Sequence, residues 1–259
     1  MAWPDFSARS TEPEWMDTLA VSPADFAACL ADLEQVNILT RAWAPTRGFL
    51  ERATAGWPAG SELRLVDVGF GQGEMLRRIH RWATARGFVP LLTGVDLNSH
   101  CRAAALAATP AAMGIDFRVE NIFDHSPAVS PHFVTSALFA HHLDAADLQH
   151  FVAWQEGAAS HGWFVNDLHR HWFAWGGFWL LSRAAFWHRF VQHDGPLSVR
   201  RAFVSEDWQA VLSGAGVHAA EIAWHMPFRL CISRLKAQPA AAASAPSSAP
   251  ASAPASGPA

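Results

Sequence analysis

Leu65-Val66-Asp67-Val68-Gly69-Phe70-Gly71-Gln72-Gly73-Glu74 is the stretch on which the fold turns. An apolar strand runs into glycines at alternate positions, then into a helical pattern carrying Met75, Leu76, Ile79 and Trp82. Glycine at 69 and 71 lets the backbone take positive φ and lets a ligand approach without meeting a Cβ. Free N–H groups at the start of the following helix favour a carboxylate. Asp67 either pairs with a ligand ammonium or braces the turn. Twenty-nine residues after Asp67, a second strand ends at Asp96 in Thr93-Gly94-Val95-Asp96-Leu97-Asn98. A carboxylate in that place can accept both hydroxyls of a ribose. The glycines read GxGxG rather than GxGxxG, with an acid two residues before the first, which argues against a nicotinamide enzyme.

Outward from this turn, short apolar runs alternate with helical stretches, the pattern of a mostly parallel sheet flanked by helices. Strands are expected at Leu63–Val68, Leu91–Asp96, Ile115–Glu120, Phe133–Leu138, Trp163–Asp167, Val217–Trp224 and Arg229–Leu235. Helices are expected after Gly73, Ser99 and Ala145, over Phe178–Phe190 and over Glu206–Gly214, with a turn at Asp194-Gly195-Pro196. Only His225-Met226-Pro227-Phe228 separate the last two strands, so they must form an antiparallel hairpin. The fold class is therefore α/β, a Rossmann-like seven-stranded sheet with a terminal hairpin. Residues 1–60 are expected to form a helical cap, with Leu19, Phe26, Leu30, Leu33, Val36 and Leu39 at helical spacing. Residues 61–236 form the main domain, and the Ala/Ser/Pro stretch 237–259 reads as disordered, having too little apolar bulk to offset ordering entropy.

Residues 63–167 resemble the core of the class I S-adenosylmethionine-dependent methyltransferases. A wider stretch resembles a bacterial small-molecule subgroup met beside type III polyketide synthases. It takes in the N-terminal helices, Asn166-Asp167-Leu168-His169-Arg170-His171 and the run from His193 to Phe203. The resemblance implies S-adenosylmethionine as cofactor, with its methionine end at Asp67, Gly69, Gly71 and Gly73 and its ribose at Asp96 beside Leu97. Asn121, after the third strand, stands where the family places an acid or amide near the adenine, with Ile122 and Phe123 as apolar wall and Phe70 packed nearby. The simpler reading of Asn121 is a strand-end turn residue.

The fourth strand runs into His141 and His142, near the sulfonium in such a sheet. A histidine there can take the proton of a phenol, hydroxyl or enol as the methyl transfers, or simply pack or cap a helix. Asp167 and His169, at the fifth strand's end, complete the catalytic candidates, and Arg170 can hold an acceptor carboxylate. Catechol-type enzymes bind a metal with an Asp-Asn pair at this strand end; here the order is reversed and no carboxylate stands beside it, so no metal is expected. The aromatic run Trp172 to Leu181, with Phe186 and Trp187, is expected in part, together with the N-terminal helices, to wall a pocket for a flat, apolar acceptor. Arg200 and Arg201 either bind an acidic acceptor group or, the simpler reading, sit in solvent.

The formal charge of −4 and pI near 6.4 give no basic field for a phosphate backbone, so nucleic acid is not an expected partner. Cys29, Cys101 and Cys231 lie far apart without a CxxC pair, which suggests neither zinc nor disulfides. No signal peptide and no bilayer-length apolar run is visible, so a cytoplasmic protein without stable membrane insertion is expected. The expected function is methyl transfer to a small, aromatic or polyketide-like acceptor, on oxygen first. The alternatives are a non-catalytic partner protein on the same fold and, behind it, a nicotinamide oxidoreductase. A homodimer is left open.

Overall fold

The computed structural model describes residues 4–18 and 22–237. The expected disordered tail falls at 238–259 outside them, save for residue 237. Along the chain run α1 (Trp15–Thr18), α2 (Pro23–Leu39), α3 (Trp43–Ala53), β1 (Glu62–Val68), α4 (Glu74–Ala85), β2 (Val89–Asp96), α5 (Ser99–Ala108) and β3 (Asp116–Val119). There follow β4 (Phe133–Ala137), α6 (Ala145–Ala158), β5 (Gly162–Leu168), α7 (Trp172–Ala184), α8 (Arg189–Arg201), α9 (Ser205–Gly214), β6 (Glu221–His225) and β7 (Arg229–Leu235).

The strands form one seven-stranded sheet in the order β3-β2-β1-β4-β5-β7-β6. All neighbours are parallel except β7, antiparallel to both β5 and β6. The strand order reverses between β1 and β4, and their carboxyl ends open the crevice where open α/β sheets bind ligands. One apolar layer, from Leu30, Phe49, Leu65, Leu76 and Phe117, fills the face covered by α2 to α5. The other, from Val66, Leu148, Phe151, Trp163 and Trp208, fills the face covered by α6 and α9. Residues of β1 and β5 alternate between these layers, as a period of two requires. β5 is buried along its length but for a partly covered Leu168, so its side chains meet packed layers on both faces of the sheet.

Three expectations fail locally. The single helix expected over 178–190 is instead the end of α7 and the start of α8, and α8 continues through the expected turn at Asp194-Gly195-Pro196. Pro196 frees the carbonyl of Gln192, and Arg183 of α7 donates to that oxygen at 3.5 Å. Gly195 lies against the Phe178 ring, so α7 and α8 pack as a close pair that a side chain there would separate. The sixth strand begins at Glu221 rather than Val217, because the Val217 N–H closes the end of α9 on Leu212.

Candidate functional site

Each glycine of the β1 turn has its own reason to be glycine. Gly69 adopts φ 73° and its N–H bonds the Val95 carbonyl at 2.8 Å. A Cβ there would stand 2.7 Å from the Phe139 ring. Gly73, at φ 75°, caps α4 in a left-handed conformation against Phe117. Gly71 donates to Asp96 Oδ2 at 3.0 Å, and Asn98 donates to Oδ1 at 2.9 Å, so the β2 acid is aimed by backbone groups on both sides. Burial pushes the Asp96 carboxyl up, against those two bonds.

A cavity of about 450 Å³ opens at the carboxyl ends of β1 to β4, within the size range of small-molecule sites. Asp96, Leu97, Asn121, Ile122, Phe123 and His142 face it, under a roof that includes Met16, Phe26 and Leu30. A smaller cavity of about 150 Å³ lies beyond Gly69 and Leu138, lined by Asp67, Glu34, Asn37, Phe70, Gln72 and Glu74. Asp67 is buried with Thr135 donating to it at 2.7 Å. Burial pushes its carboxyl up to about 7, and the nearby acids Glu74 and Asp96 add to the rise. Asn121 accepts the Phe123 N–H at 3.1 Å, so it is a turn residue and a cavity residue at once.

Behind this corner sits a buried acid–base cluster. His141 Nδ1 lies 2.7 Å from Asp167 Oδ1, and the His141 N–H donates to Oδ2 at 3.2 Å. On the other side of the ring, Nε2 faces Glu14 Oε1 at 3.6 Å. Glu14 Oε2 is 3.9 Å from His142 Nε2, and Ser198 Oγ donates to Glu14 Oε1 at 2.8 Å. Burial alone would lower His141, but Asp167 and Glu14 outweigh it and raise the imidazole to about 10. Burial likewise opposes ionisation of both acids, yet His141 holds Asp167 down, and His141 with His142 brings Glu14 to about 2.

No family model matches the chain, and no curated protein does. Among solved structures, 465 chains match, all those cited here at low identity. A proposed O-methyltransferase of Nostoc punctiforme matches with TM-score 0.56 and 11% identity, over 89% of this chain and 65% of that one. The plantazolicin methyltransferase, solved with S-adenosylhomocysteine and a substrate analogue, matches with TM-score 0.55 and 13% identity over 77% and 70%. A pericyclic reaction enzyme matches with TM-score 0.52 and 15% identity over 72% and 47%. The fold is that of the class I S-adenosylmethionine-dependent methyltransferases.

Within this methyltransferase fold the residues singled out from the sequence separate into two groups. Asp96, Leu97, Asn121 and Ile122 meet around the large cavity, Asp67, Phe70 and Gly71 around the small one, and Gly69 at the wall between them. Gly73 acts one step back, as the cap of α4. Of the catalytic candidates, His142 alone lines either cavity. His141 and Asp167 are enclosed behind it, at 2% and 0% exposure. His169 lies away from the cavities, its N–H on the Phe228 carbonyl and its backbone bridged to Phe203.

The positive charges are also placed differently from expectation. Arg170 is buried, donating to the Ala202 and Phe6 carbonyls and pairing with Asp207 at 2.8 Å, so it holds the fold rather than an acceptor. Arg201 donates to the carbonyls of His141 and His142 and is not a free surface cation. Asn166 spends its amide on Ala42 and Thr46 and its oxygen on Arg229, so its side chain is committed to the fold. Trp172, Phe173, Leu180 and Phe186 of the aromatic run are exposed and line neither cavity, because α7 packs on α8 outside the crevice. Sequence reasoning missed Glu14 and Met16; it gave the N-terminal helices, with Phe26 and Leu30 at helical spacing, a share in the pocket wall but could not aim them. No helix of the described residues is long and apolar enough to cross a membrane.

Proposed function

We propose that the chain binds S-adenosylmethionine and transfers its methyl group to an oxygen of a small, flat, largely apolar acceptor. The observation that carries this reading is the β1 turn aimed at Asp96 over a cavity of fitting size. The ribose hydroxyls fall to Asp96, the adenine to the Leu97, Asn121 and Ile122 wall, and the methionine end to the acidic small cavity. There a bound ammonium returns Asp67 to its charged form. The acceptor takes the remaining apolar space beneath Phe26 and Leu30, with its hydroxyl at the His142 corner, where the proton leaves. Much of the catalysis comes from holding acceptor and methyl group in line.

A second reading keeps the cofactor without methyl transfer, and the pericyclic enzyme on the same fold favours it. The decisive test is calorimetric titration with S-adenosylmethionine, S-adenosylhomocysteine and NADH, on wild type and Asp96→Ala. Binding of the two sulfur cofactors only, weakened about a hundredfold in the variant, is expected from two lost charge-assisted hydrogen bonds. A folded wild type that binds neither sulfur cofactor overturns the proposal. Methyl transfer in an acceptor screen then separates the first reading from the second.

A further inference from the structure

The crevice explains His142 but not why a carboxylate 128 residues earlier in the chain is buried against it. Glu14, His141 and His142 each offer one ligand atom, and the three atoms lie within 4.8 Å of one another. Glu14 Oε1 stands 3.6 Å from His141 Nε2 and Glu14 Oε2 stands 3.9 Å from His142 Nε2, longer than hydrogen bonds. A tetrahedral ion with bonds of about 2.1 Å separates its ligands by about 3.4 Å, so a small inward movement of these side chains would seat one. We propose that Glu14, His141 and His142 bind one divalent transition-metal ion of the zinc type at the wall of the large cavity.

Three further features fit that assignment. Asp167 accepts from the far nitrogen of His141, the carboxylate–histidine support that orients a metal ligand and makes it more basic. Ser198 does the corresponding work for Glu14. Charge balance admits a dication, since two buried carboxylates flank one imidazole; a proton on His141 offsets them in the metal-free protein. Arg201, 4.0 Å from Glu14, has two of its nitrogens on the carbonyls of His141 and His142, on the backbone side of the cluster.

Two imidazoles and one carboxylate suit zinc and its first-row neighbours, and three protein ligands leave a coordination position. Because His142 faces the cavity, that position opens where the acceptor's hydroxyl would lie. A bound ion there lowers the hydroxyl's affinity for its proton and fixes the oxygen toward the methyl group. This acceptor role rests on the methyl-transfer reading; the binding of the ion does not.

The test uses the untagged full chain, stripped with EDTA and titrated with Co²⁺ alone. One equivalent is expected, with the visible absorption of a low-coordinate site, displaced by Zn²⁺. E14Q and H142A are expected to weaken Co²⁺ at least a hundredfold, and D167N about ten- to a hundredfold. H218A, removing an exposed histidine outside the cluster, should bind as wild type. X-ray absorption on the zinc-loaded wild type should count two imidazoles, a readout that survives even where a variant fails to fold. Binding below one equivalent, fewer than two imidazoles, or undiminished affinity in folded E14Q and H142A overturns the site. Titration of the same wild-type preparation with S-adenosylhomocysteine is scored separately, so loss of the cofactor reading and loss of the metal site are told apart.

Discussion

The cofactor corner and the acid–base cluster lie side by side at the same sheet edge, but they are assembled in opposite ways. The corner comes from three consecutive strand ends, with Gly71 and Asp96 only 25 residues apart. The cluster takes Glu14 from before α1, His141 and His142 from the turn after β4, Asp167 from β5 and Ser198 from α8. The first uses mostly backbone N–H groups and glycine conformations. The second uses buried charges whose partners come from far along the chain. Backbone-built sites fail through loss of ligand; charge-built sites fail through loss of stability.

The largest expected effect breaks the cluster. Asp167→Asn leaves His141 without its main partner, and removing one member of a buried pair costs about 3–5 kcal/mol. Urea unfolding at pH 7 measures it. The pH dependence carries a sign: His141 is raised in the fold to about 10, so its contribution is full below about 6.5 and lost as pH rises through 10. Metal-free wild type, stripped with EDTA, should therefore lose stability between pH 7 and 10, and the loss should flatten in His141→Gln. A variant as stable as wild type at pH 7 would mean the cluster carries no net charge coupling.

Next in size, and of opposite sign, is Asp67→Asn in the corner. Its carboxyl sits at about 7 in the fold against an ordinary 3.8, so ionised Asp67 costs the empty protein up to about 4 kcal/mol at pH 8. The penalty vanishes as pH falls toward 4. The variant should be more stable than wild type at pH 8, equal near pH 4, and weaker in binding S-adenosylhomocysteine, whose ammonium loses its counter-charge. Thermal melts at the two pH values, with one titration, check all three; equal melting at pH 8 would remove Asp67 from the list of strained functional groups.

The smallest effect sharpens the corner itself. Asn121→Ala removes one cap bond to Phe123 and, on the proposed cofactor placement, one adenine contact, each worth about 1 kcal/mol. A roughly tenfold weaker titration with S-adenosylhomocysteine and a small drop in melting temperature are expected. Unchanged binding with the same drop would leave Asn121 as a turn residue only.

Legibility followed the same divide. The strands, their order of appearance, the terminal hairpin and the β1 turn were readable because each is written in local pattern: alternation, apolar runs, glycine at fixed offsets. Boundaries slipped where a distant group changed the local rule. Asp194-Gly195-Pro196 has turn chemistry, yet Arg183 satisfies the freed carbonyl, and Asp194 accepts the N–H groups of Trp15 and Met16 at 2.9 and 3.0 Å. The aromatic run of α7 gave the right element family but the wrong address, since helical spacing says which face is apolar and not what lies opposite.

What the sequence determined by itself is the sheet, the glycine turn and the position of Asp96 at the end of the neighbouring strand, because these are written in local spacing that the backbone geometry constrains. Only the tertiary structure decided which of two adjacent histidines faces the cavity, and that Glu14 closes on both. It also decided that Arg170 and Arg201 serve the backbone. Whether a buried charge is tolerated depends on what is brought within about 4 Å of it, and closing a loop of more than a hundred residues leaves no local pattern to read.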